Sequence, residues 1–264
     1  MLFIDSHCHL DQLNYSKLYK NIDDLFKKAY NNHVKLFLSV STSLKNFQNL
    51  LKLFPNQKNI LYSCGIHPLN CDLEIIDLIK LKRFSMYNQV IAIGETGLDY
   101  YYQKNKKKPQ QYLFRKHIQI AKSIQKPIIV HSRQAKEDTI KILQEENAQF
   151  CQGILHSFSE DVQFAKKLLD IGFYISFSGM ITFKNSDIIR KVLKYIPIDS
   201  LLIETDSPYL TPVPYRGQEN QPSYLYDIAK YISCQKKINI EYLSEITTNN
   251  FCKLFNINIS EILK

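Results

Sequence analysis

Eight short apolar, β-rich runs alternate with helix-like stretches along these 264 residues, and that alternation restricts the fold more than any other feature. The runs cover residues 1–4, 34–40, 60–64, 90–93, 127–130, 153–155, 173–177 and 201–203. Between them, apolar residues recur at spacings of three and four over 22–30, 47–54, 73–84, 110–124, 136–146, 162–170 and 186–195, which predicts amphipathic helices. Strands alternating with helices predict a parallel α/β sheet, and eight of them in a chain of this length fit a closed (β/α)8 TIM barrel. An open doubly wound sheet, the second choice, usually needs fewer strands. No Pro/Gly/Ser-rich linker or repeat divides the sequence, so residues 1–264 are expected to form one domain. Pro208, Pro212, Pro214, Gly217 and Pro222 rule out a continuous helix over 209–222 and predict a long ordered loop after the last strand, with closing helices over 224–234 and 240–255.

Acidic and imidazole side chains recur where the runs end. The first run leads into Asp5-Ser6-His7-Cys8-His9, the third into Gly65-Ile66-His67-Pro68, and the fourth into Gly94-Glu95-Thr96-Gly97-Leu98-Asp99. The fifth leads into His131-Ser132-Arg133, the sixth into His156-Ser157-Phe158, and the eighth into Glu204-Thr205-Asp206-Ser207-Pro208. Parallel barrel strands all end on one face, so these groups converge over one mouth, the C-terminal mouth of the strands. Asp5, His7 and His9 fall on one side of a period-two strand, the two histidines about 6.6 Å apart along it, with Cys8 on the other side. Alone, His-x-His reads as two exposed histidines at a strand end; Glu, His, His and Asp at matching depth turn the reading toward metal.

The donors His7, His9, Glu95, His131, His156 and Asp206 are too many for one tetrahedral ion and suit two divalent cations bridged by a carboxylate and a hydroxide. Glu95, on the central fourth strand, is the natural bridge, with His7, His9 and Asp206 on one side and His131 with His156 on the other. All donors are N or O, which suits Zn²⁺, Mn²⁺ or, with more water, Mg²⁺.

Composition sets outer bounds. No run approaches the ~20 apolar residues a membrane span needs, and Asp5, His7 and His9 interrupt the N-terminus where a signal peptide is apolar, so a cytoplasmic protein without membrane attachment is expected. Six scattered cysteines form no C-x-x-C pair and read as free thiols. A net charge of +9 points toward polyanions, but Lys, Asn, Ile, Tyr and Phe share A/T-rich codons, and base-composition drift accounts for it equally well. No feature indicates an obligate protein partner.

At these motifs the sequence resembles the TatD family of metal-dependent hydrolases, within the amidohydrolase-like barrels. The matching pieces, in order, are Ile4-Asp5-Ser6-His7-Cys8-His9-Leu10-Asp11, Gly65-Ile66-His67-Pro68, Ile93-Gly94-Glu95-Thr96-Gly97-Leu98-Asp99-Tyr100, Pro127-Ile128-Ile129-Val130-His131-Ser132-Arg133, His156-Ser157-Phe158-Ser159 and Glu204-Thr205-Asp206-Ser207-Pro208-Tyr209-Leu210. Arg216-Gly217, Asn220 and Pro222 resemble the family's loop after the eighth strand. Glu160 and Lys253 depart from the pattern, and neither is a candidate ligand. The resemblance implies the same six ligands, a two-metal barrel hydrolase, and activity on DNA ends.

The expected reaction is hydrolysis of an ester bond, a phosphodiester of DNA or a related substrate, as a 3′ to 5′ exonuclease on single strands. Asp206 is expected to take the proton of the attacking water, with Glu204 or His67 relaying it. Arg133, Arg216 and Asn220 are the candidate substrate-binding residues, the arginines because a guanidinium matches a phosphoryl group bidentately. Lys104 and Lys106 to Lys108 follow the fourth strand, where they either attract a polyanion or form a solvated loop; Tyr100-Tyr101-Tyr102 either stacks bases or packs that loop. His33 and His117 read as structural. An amide or ester hydrolase with the same ligands is the alternative, and a non-catalytic metal-binding barrel is the reading from a different class.

Overall fold

A computed structural model describes residues 1–55, 57–72 and 76–262. Eight parallel strands form one sheet in sequence order: β1 (Phe3–Cys8), β2 (Val34–Val40), β3 (Ile60–Cys64), β4 (Val90–Asp99), β5 (Ile128–Arg133), β6 (Gly153–Leu155), β7 (Tyr174–Phe177) and β8 (Leu201–Ile203). The sheet curls into a nearly closed barrel with helices between successive strands. Two backbone hydrogen bonds draw the ends together at the mouth, Asp206 N–H to His7 O (2.9 Å) and His9 N–H to Ser207 O (2.8 Å).

Each strand sends one apolar side chain inward at the lower end: Ile4, Leu36, Leu61, Ile91, Ile129, Ile154, Tyr174 and Leu202 share one buried cluster. Phe251, Leu254 and Phe255 of the helix Ile240–Phe255 join that cluster and plug the barrel floor. A second cluster holds the outward strand residues, among them Phe3, Phe37, Tyr62 and Val90, against apolar faces of the surrounding helices such as Leu25, Phe47, Phe114 and Leu168. Asn21, Ser43, Asp161 and Asn239 cap helices with side-chain oxygens that accept the third backbone N–H on, as their residue types favour. With the lower barrel filled by hydrocarbon, the polar strand ends meet only at the upper mouth.

Three strands differ from the expected boundaries. The first begins at Phe3 and runs to Cys8, the fourth extends to Asp99, and the fifth extends to Arg133, so His7, Glu95 and His131 sit inside strands rather than beyond them. Polar residues at these positions hide the strand from an apolar-run criterion, although the ladder resumes beyond the shifts in β1 and β4 and includes His131. The predicted helix over 73–84 is observed as Leu78–Ser85, and residues 73–75 lie outside the described residues. The helix Lys107–Ile124 starts earlier than expected and takes in Lys107 and Lys108.

Candidate metal centre

Local irregularities aim the side chains. The β4–β5 register steps between Ile93 and Thr96, a bulge that leaves Gly94-Glu95 out of the regular ladder and turns Glu95 into the mouth. Gly97 has φ +133° and its backbone lies against the His131 carbonyl oxygen, where any Cβ would collide. In β1 the register shifts between Asp5 and Cys8, so the strict alternation expected for Asp5, His7 and His9 fails. Asp5 instead turns to β8, accepting the Thr205 backbone N–H (2.9 Å) and the Thr205 hydroxyl (2.5 Å). Burial pushes its carboxyl up to about 7, against the opposing pull of those hydrogen bonds.

All six expected ligands come together, buried or half-buried. Glu95 lies at the centre with its two oxygens facing different ring sets. Oε2 is 3.4 Å from His7 Nε2 and 3.7 Å from His9 Nε2; Oε1 is 2.9 Å from His156 Nε2 and 3.0 Å from His131 Nδ1. Asp206 Oδ1 joins the first set, 3.7 Å from His7 Nε2 and 3.6 Å from His9 Nε2. The His7 ring also stacks on His156 at 3.9 Å between centroids, so the two sets adjoin.

Neighbouring hydrogen bonds sort the imidazole tautomers. His9 Nδ1 faces Val40 O (3.2 Å), His156 Nδ1 faces Glu204 Oε1 (3.3 Å), and His131 Nε2 faces Asp99 Oδ2 (3.1 Å). Each of these rings is held by a fixed acceptor at one nitrogen, which leaves the other nitrogen facing Glu95. His67 is the reverse: Nδ1 accepts the Leu69 backbone N–H (3.1 Å), so the neutral ring carries its proton on Nε2, 3.3 Å from Glu95 Oε1. That tautomer makes His67 a donor toward Glu95, although His67, Glu95 and His131 also stand close enough together to share an ion.

The donors fit divalent cations. Among the described residues neither Glu95 nor Asp206 has a lysine or arginine within 4.0 Å, so only imidazoles offset two buried carboxylates. Burial would raise Glu95, but the charge of His156 and hydrogen bonds from His131 and His156 hold it well below the usual carboxylate range. Burial likewise opposes charge on His156, and Glu95 and Glu204 override it, lifting the ring well above an ordinary imidazole. A divalent cation at these donors would take over the charge-offsetting role from the imidazoles.

Two expected roles change in the structure, those of Glu204 and Asn220. Glu204 is fully buried beneath His156 and takes the Ser157 backbone N–H (2.8 Å) as well as the ring, which makes it an orienting group rather than a relay open to the mouth. Asn220 is also fully buried, and both amide hydrogens go to backbone carbonyls, of Thr205 (2.8 Å) and Tyr209 (2.5 Å), so it shapes the loop instead of meeting substrate. Arg216 lies over the Phe183 ring at 3.8 Å and donates to Thr211 O (3.0 Å), contacts that brace the same loop. Arg133 is exposed at the end of β5, as expected.

Asp99, given no individual role in the sequence reading, and His117, read there as structural, both position the cluster. Asp99 holds His131 with one oxygen and, with the other, the backbone N–H groups of Tyr101 (3.0 Å) and Tyr102 (2.9 Å). His117, buried on the helix Lys107–Ile124, donates to Leu113 O (2.8 Å) and accepts the Ile66 N–H (3.0 Å), fixing the turn that carries His67. Of the lysine run, Lys106 pairs with Asp72 at 2.7 Å and Lys107 lies over Tyr100 at 4.3 Å.

A parallel barrel with clustered His and carboxylate donors at the C-terminal ends of its strands defines a metal-dependent hydrolase of the amidohydrolase type. The TatD-related DNase family model matches residues 4–256, and the chain belongs to that family. An uncharacterized metal-dependent hydrolase of Buchnera aphidicola from Acyrthosiphon pisum is 58% identical, covering 97% of this chain and 100% of the relative. The Escherichia coli uncharacterized metal-dependent hydrolase YcfH is 48% identical over 99% of this chain and 98% of its own. Among solved structures, the E. coli TatD homologue YjjV superposes with TM-score 0.88 at 27% identity, covering 97% of this chain and 98% of its own. Among the described residues, no helix is long and apolar enough to cross a membrane.

Proposed function

We propose that the protein is a two-metal phosphodiesterase that removes nucleotides from the 3′ ends of single-stranded DNA. The observation that carries this reading is the division of Glu95, whose Oε2 faces His7 and His9 while Oε1 faces His131 and His156. A carboxylate with one oxygen in each ring set is suited to bridge two cations, and the family's description as TatD-related DNase supports the phosphodiester as substrate. His7, His9 and Asp206 would hold one divalent ion and His131 with His156 the other, both sharing Glu95.

Such ions, Mg²⁺, Mn²⁺ or Zn²⁺, supply a water of lowered pKa and neutralise charge on the phosphoryl oxygens. The chain's own residues do the rest. Asp206, at the exit of β8 and close to both His7 and His9, is placed to take the proton of the attacking water. His67 holds a proton on Nε2 at the edge of the cluster, from which it can donate a hydrogen bond to charge developing on the leaving oxygen. Glu204, Asp99 and the Val40 carbonyl fix the rings, so the donors need little rearrangement.

The deciding experiment strips the purified protein of metal, refills it with Mg²⁺, Mn²⁺ or Zn²⁺, and offers single-stranded DNA, a chromogenic phosphodiester and a panel of N-acyl amino acids. Metal-dependent release of 3′ nucleotides is expected. Cleavage confined to the acyl panel would transfer the protein to the amide hydrolases.

A further inference from the structure

Tyrosines flank the candidate metal centre on both sides. Beyond His9, the Tyr209 ring meets the imidazole edge-on at 6.0 Å, is 53% exposed, and is held by its hydroxyl, which donates to Gln12 Oε1 (2.6 Å). Beyond His131, Tyr101 and Tyr102 stand perpendicular at 4.8 Å and are 49% and 62% exposed. The Arg133 guanidinium lies over both of these rings, 4.3 Å and 4.7 Å from their centroids. This second group is not a loose loop tip, because Asp99 ties its backbone to His131.

Exposed rings are common on protein surfaces, but these are fixed by neighbouring contacts, Tyr209 through Gln12 and Tyr101 with Tyr102 through Asp99 and Arg133. Flat π-faces on either side of a phosphate-sized, cation-binding centre match one dinucleotide step, with its phosphate over Glu95 and a base to each side. Stacking of this kind tolerates any base and pairs with a guanidinium that attracts the backbone. On the phosphodiesterase reading, on which this inference rests, we propose that the centre is a dinucleotide cradle: Tyr209 stacks the base on the His9 side of the scissile phosphate, and Tyr101 with Tyr102, braced by Arg133, stacks the base on the His131 side. The substrate class that follows is single-stranded nucleic acid without sequence preference, since bases within a duplex have their faces covered by the neighbouring pairs.

The test uses a fluorescein-labelled single-stranded oligothymidylate and versions of it carrying an abasic residue on one or the other side of the scissile bond. For the metal-loaded wild type, each abasic substitution lowers kcat/KM about tenfold or more. In Y101A/Y102A that intact-to-abasic ratio falls to near one on one side only, and in Y209A on the other side only; Y101F/Y102F, which keeps the rings, restores it. A ratio that is the same in wild type and both alanine variants overturns the cradle while leaving the phosphodiesterase reading intact. Anisotropy of the labelled strand, read in EDTA, separates the two claims. A wild type that binds the intact strand, loses binding in Y101A/Y102A, and cleaves nothing when metal is restored would support the stacking surface and sink the activity. A wild type that neither binds nor cleaves sinks both.

Discussion

Asp99 accepts the Nε2 proton of His131 at 3.1 Å, which fixes the ring so that Nδ1, not Nε2, is directed at Glu95. Asp99→Asn can present an amide N–H to the same nitrogen and favour the wrong tautomer. Metal affinity should drop by about 10- to 100-fold, the usual range when a carboxylate behind a ligating histidine is lost. Competition with a chromogenic chelator measures it, and an unchanged affinity would mean His131 needs no such partner.

Glu95→Gln retains shape and removes the charge that both ring sets share. Bound metal per chain should fall from two ions to one or none, and turnover should vanish while the barrel still folds. Equilibrium dialysis with elemental analysis, alongside far-ultraviolet circular dichroism, gives the answer; a variant with full activity would refute the bridging model.

His67 should separate binding from chemistry. Because its Nε2 carries a proton and Nδ1 is taken by Leu69, His67→Ala is expected to keep the metal content while lowering kcat by about 100-fold, the low end for loss of a donor aimed at developing charge. If instead one ion is lost, His67 is a ligand and the tautomer argument falls.

His117 gives a pH dependence that is independent of metal. Burial lowers its pKa from 6.5 to about 4, so between those values the unfolded chain binds the proton and the folded chain does not. Its contribution to stability is therefore full above pH 6.5 and is lost as pH falls toward 4, by about 3 kcal/mol in all. Urea unfolding in EDTA should show the wild type and His117→Gln converging by that amount on acidification; parallel profiles would contradict it.

The barrel was readable because each strand's lower half is an uninterrupted apolar run, and the ligands because Glu and His at the ends of parallel strands must meet. What stayed hidden depended on register. Asp99 reaches His131 because β4 continues past its apolar part and pairs Gly97 with His131 and Leu98 with Ser132, a relation no local pattern reveals. Asn220 and Arg216 are both polar residues of the loop beside the site, and nothing in the sequence marks that Asn220 points inward while Arg216 stays exposed. Their roles emerge only from the carbonyls of Thr205, Tyr209 and Thr211 that the folded loop turns toward them.

The two backbone hydrogen bonds that join His7 and His9 to Asp206 and Ser207 also set an order of events. Ribosomal synthesis delivers the histidines first and their acidic partner almost two hundred residues later, so the growing chain carries imidazoles with no complete centre through most of its translation. The pocket is finished only when the eighth strand arrives beside the first, a contact of very large sequence separation and thus one of the slower steps of folding. A hydrolase wired in this way stays silent as a nascent chain, and the appearance of its activity reports that the ring of strands has closed.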